Sequence, residues 1–134
     1  MYMENCIFCK IIKKEIPTDI IYEDKNFMAF LDIKPVNPGH ALIIPKEHYK
    51  TILDTPNNTI SKIFIKSKQL MSSIKKATKA DYVVLSIVGL DVPHFHIHLI
   101  PRYFNDGMSN FWPTKEYKEN ETKGIANKIK EMIR

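Results

Sequence analysis

The chain has 134 residues, 44% of them hydrophobic, and a formal charge of +5 at pH 7, which suits one compact domain over residues 1–134. Because it contains no apolar run of about 18 residues and no secretory signal at its start, we predict a cytoplasmic protein that does not engage membranes. Its positive charge is almost entirely lysine, and only Arg102 and Arg134 could supply the bidentate contacts typical of nucleic-acid recognition. We therefore expect no DNA or RNA partner.

Hydrophobic periodicity and turn residues predict the elements in chain order. A short helix over residues 6–14 precedes a hairpin of strands over 19–23 and 27–32, a loop over 34–39 and a third strand over 40–45. A long amphipathic helix follows over 59–78, then strands over 82–88 and 93–101, and an amphipathic helix within 115–134 closes the chain. Strands joined by short turns, with helices between them, predict an α+β fold in which an antiparallel sheet of about five strands carries helices on one face.

Three histidines alternate with hydrophobic residues in the last predicted strand, at His94, His96 and His98. Side chains alternate across a strand, so the three imidazoles share one face while the hydrophobic residues between them face the core. Three polar rings on one face contribute little to stability, because buried polar groups cost free energy unless each finds a partner. A neutral imidazole can act as nucleophile, base or acid, so we predict that these histidines are functional.

The spacing of the histidines and a pair of cysteines both limit what the histidines can do. The Cα atoms of His94 and His98 would lie about 13 Å apart along one strand, so a zinc site made by the three histidines alone would be strained. The pair Cys6 and Cys9 forms a C-x-x-C, which indicates a metal knuckle, a redox pair or two idle thiols. With His48 and His94 it would complete a Cys2His2 set for a structural zinc ion. His96 and His98 would then remain for chemistry.

Residues 89–102 resemble the signature of the histidine-triad (HIT) family, in which histidines alternate with hydrophobic residues. Residues 6–17, 22–24, 29–33 and 38–46 resemble the opening segments of that family, in the same order. The resemblance covers about residues 4–112 and is specific, because several spaced motifs agree. It is closest to the bacterial type of the Hint-like, nucleotide-binding branch, whose members often carry the zinc knuckle and a C-terminal helix.

This resemblance implies a HIT-like fold that pairs into a homodimer, and a purine nucleotide as substrate. Members of the family hydrolyse nucleoside phosphoramidates, acyl-adenylates or dinucleoside polyphosphates. The resemblance makes His96 the nucleophile, which forms a nucleotidyl-histidine intermediate that water then cleaves. His98 would contact the phosphate or the leaving group, and His40 would support that network.

The resemblance also implies how a nucleotide is held. Asp32 would bind the ribose hydroxyls, although its alternative is a loop cap. The base pocket would be lined by Ile7, Phe8, Phe30 and Ile33, for several of which a place in the core is the alternative. Backbone amides near Asp91 and Val92 would bind the phosphate.

Two positions depart from the family pattern, namely Ser86, where the family often has Asn, and Leu90, where it often has Gln. Loss of an amide at residue 90 removes a polar contact near the phosphate or the leaving group. We therefore predict a hydrolase of purine nucleoside 5′-phosphoramidates or related adenylates. The alternatives are a dinucleoside polyphosphate hydrolase, a nucleotide-binding sensor with little turnover, and a hydrolase with a catalytic metal on the histidines.

Overall fold

The computed structural model describes residues 2–109 and 111–133. Its helices are α1 (Ile7–Ile12), α2 (Asn57–Thr78) and α3 (Glu121–Met132), with a short 3-10 helix at Ile52–Asp54. Its strands are β1 (Ile20–Glu23), β2 (Phe27–Leu31), β3 (Ala41–Pro45), β4 (Tyr82–Ser86) and β5 (Ile97–Arg102). They form one antiparallel sheet in the order β1-β2-β3-β5-β4, which confirms the predicted α+β class. Among the described helices, none is both long and apolar enough to cross a membrane.

Two turns position the strands that lead to the site. In the β1–β2 hairpin, Asp24 Oδ1 accepts hydrogen bonds from the backbone N–H groups of Asn26 (2.7 Å) and Phe27 (2.8 Å), as expected for an acidic turn residue. Before β3, Gly39 has a φ of +100°, and a Cβ atom there would lie 2.6 Å from Cγ2 of Thr78. Only glycine therefore fits where the chain enters β3.

The sheet is covered on both faces, so the prediction that the helices pack on one face is wrong. Phe27 and Ala29 of β2 belong to the core beneath α2, whereas Met28 and Phe30 belong to a second buried cluster with α1. All five residues of β3 are buried. Such strands are buried on both faces, which requires a layer of structure on each side.

Two predicted strand limits and the packing of the C-terminal helix also differ from the structure. The last strand was expected from residue 93 but begins at Ile97, because the N–H of Phe95 donates to the carbonyl of Tyr49 (2.6 Å) and not to a neighbouring strand. β4 ends at Ser86 instead of residue 88. The C-terminal helix forms as predicted, but it does not close onto the sheet, since α3 has no buried residue among those described.

Candidate active site and cysteine–histidine cluster

The imidazole of His96 is buried, with only 2% of the residue exposed, on the face of the sheet opposite α2. Its Nδ1–H donates a hydrogen bond to the carbonyl oxygen of His94 (2.7 Å). The other nitrogen, Nε2, therefore carries the lone pair. Nε2 is buried and has no hydrogen-bond partner among the described residues. A buried acceptor is rarely left unpaired, and one that is available for bonding suits a nucleophile.

Open space lies beside this ring. A cavity of about 220 Å³ is bounded by residues 50–53, residues 87–89, Phe95 and His96. Phe8 of α1 packs edge-on against the imidazole, with ring centroids 5.1 Å apart. Asp91 reaches over the ring and places Oδ1 3.4 Å from Nε2 of His96. Phe8 thus packs against the ring of His96, and Nε2 of His96 faces the loop that contains Asp91.

His40 and His98 form a directed pair beside His96. Nδ1 of His40 accepts a hydrogen bond from the N–H of Val36 (3.0 Å), so the proton of His40 lies on Nε2. Nε2 then donates to Nδ1 of His98 (2.9 Å), which leaves the proton of His98 on its own Nε2. The rings of His96 and His98 have centroids 5.1 Å apart. His98 can therefore present an N–H donor next to His96.

The electrostatics favour neutral forms of this pair. Burial lowers the pKa of His40, while the negative charge of Asp32 raises it in part. Burial also lowers the pKa of His98, with further lowering by His96 and His40 and a smaller opposing effect of Asp32 and Asp91. Both imidazoles are consequently neutral at pH 7, and the hydrogen bond between them needs that state.

Asp32 has two contacts that bear on its predicted role. Oδ1 accepts a hydrogen bond from the N–H of Lys34 (2.9 Å), which is the loop cap considered above. Oδ2 lies 3.6 Å from Nε2 of His40. The carboxylate therefore both caps the loop and faces the histidine pair.

The four residues expected to line a base pocket differ in their exposure to solvent. Phe8 and Phe30 are buried and meet edge-to-face with ring centroids 5.6 Å apart. Ile7 is exposed, and Ile33 is exposed to 89%. Phe8 and Phe30 thus belong to the buried cluster that α1 forms with β2 and β3, whereas Ile7 and Ile33 lie at the solvent-exposed surface.

The remaining predicted positions lie around β5 and the loop before it. Ser86 pairs with His98 between β4 and β5. Val92 packs against the α1 cluster. Leu90 is exposed to 86%, so its side chain faces solvent.

Cys6, Cys9, His48 and His94 converge into one cluster whose ligand atoms all lie within 4.8 Å of one another. Nδ1 of His94 is 3.4 Å from Sγ of Cys6 and 3.6 Å from Sγ of Cys9, and 3.1 Å from Nδ1 of His48. A tetrahedral zinc ion with its usual bond lengths separates such ligands by about 3.4–3.8 Å. The cluster therefore has the dimensions and the donor set of a Cys2His2 site.

The tautomer of His94 also fits a metal. Its Nε2–H donates to the carbonyl of Pro45 (2.9 Å), which leaves Nδ1 as the free donor atom that points at the cysteines. Burial lowers the pKa of His94 to about 4, so the ring is neutral and able to bind a cation. The redox and idle-thiol alternatives do not require this second-sphere hydrogen bond.

Three contributions were not visible in the sequence. They are the carbonyls of Tyr49 and Pro45 and the N–H of Val36, which orient Phe95, His94 and His40. Backbone groups carry no residue-specific pattern, so no motif could have revealed them. The carboxylate of Asp91 was also missed, since only the backbone near it was expected to take part.

The fold and this site define a class of protein, namely an α+β protein whose alternating histidines lie in β5, between β3 and β4, and in the segment that leads into it. Residues 13–105 match the family model described as the HIT domain, and the chain belongs to the HIT family. The resemblance noted in the sequence is thereby confirmed.

One curated protein and two solved structures illustrate what this chain is similar to within the family. The chain is 43% identical to the adenosine 5′-monophosphoramidase of Saccharomyces cerevisiae, over 83% of this chain and 72% of that protein. It is similar to the crystal structure of a HIT family member from Bacillus subtilis, with a TM-score of 0.85 and 33% identity, over 98% of this chain and 99% of that one. A Zn-bound histidine triad family protein from Mycobacterium smegmatis has a TM-score of 0.74 and 28% identity, over 96% of this chain and 98% of that one.

Proposed function

We propose that this protein hydrolyses purine nucleoside 5′-phosphoramidates or related adenylates through a covalent nucleotidyl-His96 intermediate. The observation that carries the proposal is the lone pair of His96 Nε2, which is buried, without a hydrogen-bond partner among the described residues, and next to the N–H donor of His98. The similarity to a yeast adenosine 5′-monophosphoramidase supports the same chemistry.

In the first step, His96 Nε2 attacks the α-phosphorus in line with the bond to the leaving amine. The Nε2–P bond forms and the P–N bond breaks, while His98 Nε2–H donates a hydrogen bond to the reacting phosphate or to the leaving nitrogen. The amine takes up a proton from solvent as it leaves. A water molecule then attacks the phosphorus, which breaks the P–Nε2 bond, returns a proton to solvent, releases the nucleoside monophosphate and restores His96.

The other residues hold and position the nucleotide. His40 keeps His98 in its donating tautomer through their 2.9 Å hydrogen bond. We assign Asp32 to the ribose, and Ile7, Phe8, Phe30 and Ile33 to the base. Ser86, Asp91 and Val92 lie on the phosphate side.

Cys6, Cys9, His48 and His94 would hold a zinc ion, in agreement with their tetrahedral spacing and with the Zn-bound relative. Such an ion would supply a structural crosslink between α1 and the segment that leads into β5. We place the metal here because these residues supply two thiols and two imidazoles, the donor set of a structural zinc site.

We also propose that two copies of the chain pair. β4 lies at an edge of the sheet, and beside it are the exposed aromatic residues Phe104, Phe111 and Trp112. The hydrophobic residues of α3, Ile125, Ile129 and Met132, are exposed as well. Exposed apolar surfaces of this kind indicate a protein interface.

A nucleotide-binding sensor with little turnover is a second candidate, which the exposed Leu90 favours because it offers no polar group to the leaving group. Incubation of the purified protein with adenosine 5′-phosphoramidate separates the two. The proposed hydrolase releases ammonia and adenosine monophosphate in equal amounts with repeated turnover. Saturable binding without product would exclude the hydrolase and leave the sensor.

A further inference from the structure

The side chain of Asp91 occupies the position from which a phosphate would reach His96. Its Oδ1 lies 3.4 Å from Nε2 of His96, the nitrogen that has no hydrogen-bond partner among the described residues. The ligand atoms of Asp91, His96 and His98 all lie within 4.8 Å of one another, so the carboxylate faces both imidazoles. An in-line phosphorus must lie about as close to Nε2 as this carboxylate does.

The carboxylate also engages the backbone groups nearby. Burial acts to raise the pKa of Asp91, but hydrogen bonds from the backbone at Asp91 and Val92, together with His96 and His98, lower it overall. These backbone groups are the ones assigned above to the phosphate. Asp91 therefore uses the contacts that we assign to the phosphate.

The side chain of Asp91 is also largely open to solvent, with 65% of it exposed. Gly89, two residues earlier, has a φ of +69° and lies in open space, since a Cβ atom there would meet nothing within 4 Å. Rotation of the exposed Asp91 side chain can therefore carry the carboxylate outward without disturbing the core.

We propose that the Asp91 carboxylate is a built-in occupant of the phosphate position, which a nucleotide displaces and which selects against doubly charged phosphates. This inference rests on the proposed function. The phosphorus of a phosphoramidate or an adenylate carries one negative charge, whereas the product monophosphate carries nearly two above its second pKa of about 6. A displaced carboxylate remains tethered nearby and repels the second charge as well as the first. Asp91 thereby admits substrate and hastens the departure of product.

The test compares two ligands that differ by one charge. The dissociation constants of adenosine 5′-monophosphate and of its monoanionic methyl ester are measured by calorimetry at pH 8, for the wild type and for Asp91→Asn. Because a second charge doubles the Coulomb repulsion, we expect Asp91→Asn to tighten the ester about threefold and the monophosphate about tenfold. The difference between the two ligands should shrink at high salt.

Asp19→Asn is the matched control, because Asp19 is an exposed carboxylate just before β1, at the far edge of the sheet from β4. It should change neither constant. Equal tightening of both ligands in Asp91→Asn, or no tightening, would overturn the inference.

Failure of the proposed function gives a different result. If both ligands bind with the expected pattern but no phosphoramidate is hydrolysed, the proposed hydrolase is wrong and the role of Asp91 stands. If hydrolysis occurs and Asp91→Asn leaves both constants unchanged, only the role of Asp91 is wrong.

Discussion

His40 donates a hydrogen bond from Nε2 to Nδ1 of His98 over 2.9 Å, and the N–H of Val36 sets its direction by occupying the other nitrogen of His40. Reversing this bond would leave the N–H of Val36 facing a second donor, which costs free energy in a buried site. The proton of His98 is therefore fixed on Nε2, which leaves an N–H donor at the candidate site. This relationship requires a neutral His98, because a protonated ring has no lone pair on Nδ1 to accept the bond.

The first prediction concerns pH. Burial lowers the pKa of His40 and of His98 from the ordinary value of 6.5, so both rings stay neutral at pH 7 and become charged only in more acidic solution. We expect log(kcat/KM) to be flat from about pH 8 to 6.5 and to fall below that. The negative charge of Asp32 raises both pKa values, so Asp32→Asn should move the acid limb to still lower pH. An acid limb centred above pH 6.5 would contradict this account.

The second prediction concerns the nucleophile. His96→Ala removes the group that forms the covalent bond, and we expect kcat to fall by about 10⁴-fold or more. Nucleotide affinity, measured by calorimetry, should change by no more than about threefold. The thermal unfolding midpoint reports separately on the fold. Substantial hydrolysis by a His96→Ala preparation free of host enzymes would falsify the mechanism.

The third prediction concerns the cysteine–histidine cluster. We expect about one zinc ion per chain and, on chelation, a loss of about 3 kcal/mol of unfolding free energy, or roughly 10 °C in the unfolding midpoint. Cys9→Ser should contain less zinc, and chelation should no longer shift its midpoint. If the thiols are idle, the wild type will contain no metal, and the chelator will not change its unfolding midpoint. If the metal is catalytic, activity will vanish on chelation at temperatures where the fold persists.

The fourth prediction concerns Leu90. A glutamine there could donate to the phosphate or the leaving group, so Leu90→Gln should raise kcat several-fold. Leu90 is exposed, and the change leaves the core untouched. Ile65→Gln, at an exposed position of α2, is the matched control and should leave kcat as it is. A rate unchanged in both variants would show that residue 90 does not limit turnover.

The fifth prediction concerns association. Light scattering should give twice the 15.6 kDa mass of the chain for the wild type. Placing a charge on the apolar surface with Ile129→Asp should shift the mass towards one chain, while Leu53→Asp, on the exposed 3-10 helix, should not. A wild type that runs as a monomer at micromolar concentration would refute the proposed pairing.

Much of this architecture could be predicted from local pattern. The hairpin at residues 24–26 and the long helix followed from turn residues and helical spacing, and both are present. Alternation also placed Phe95 in the core and His96 on the opposite face, although neither lies in β5. Their path depends on the carbonyl of Tyr49, 46 positions away in the chain, and such a partner leaves no local trace.

The second face of the sheet could not be predicted in the same way. β2 and β3 have continuous hydrophobic runs, which give no sign of which helix covers which side. The 3-10 helix depends on the capping contacts between Thr51 and Asp54. In the sequence, such a pair three residues apart looks the same as an ordinary turn. Packing of α3 was expected from its spacing alone, but spacing identifies an apolar side without naming its partner.

Phe8 connects two parts of the molecule. It adjoins Cys9 in a helix of only six residues, and its ring touches both His94 and His96. So short a helix does not persist by itself in water. If zinc ties α1 down as proposed, a cell starved of this trace element would lose the aromatic wall of the base pocket while the reacting imidazole stays in place. The supply of a micronutrient would then set what fraction of these molecules can recognise a purine.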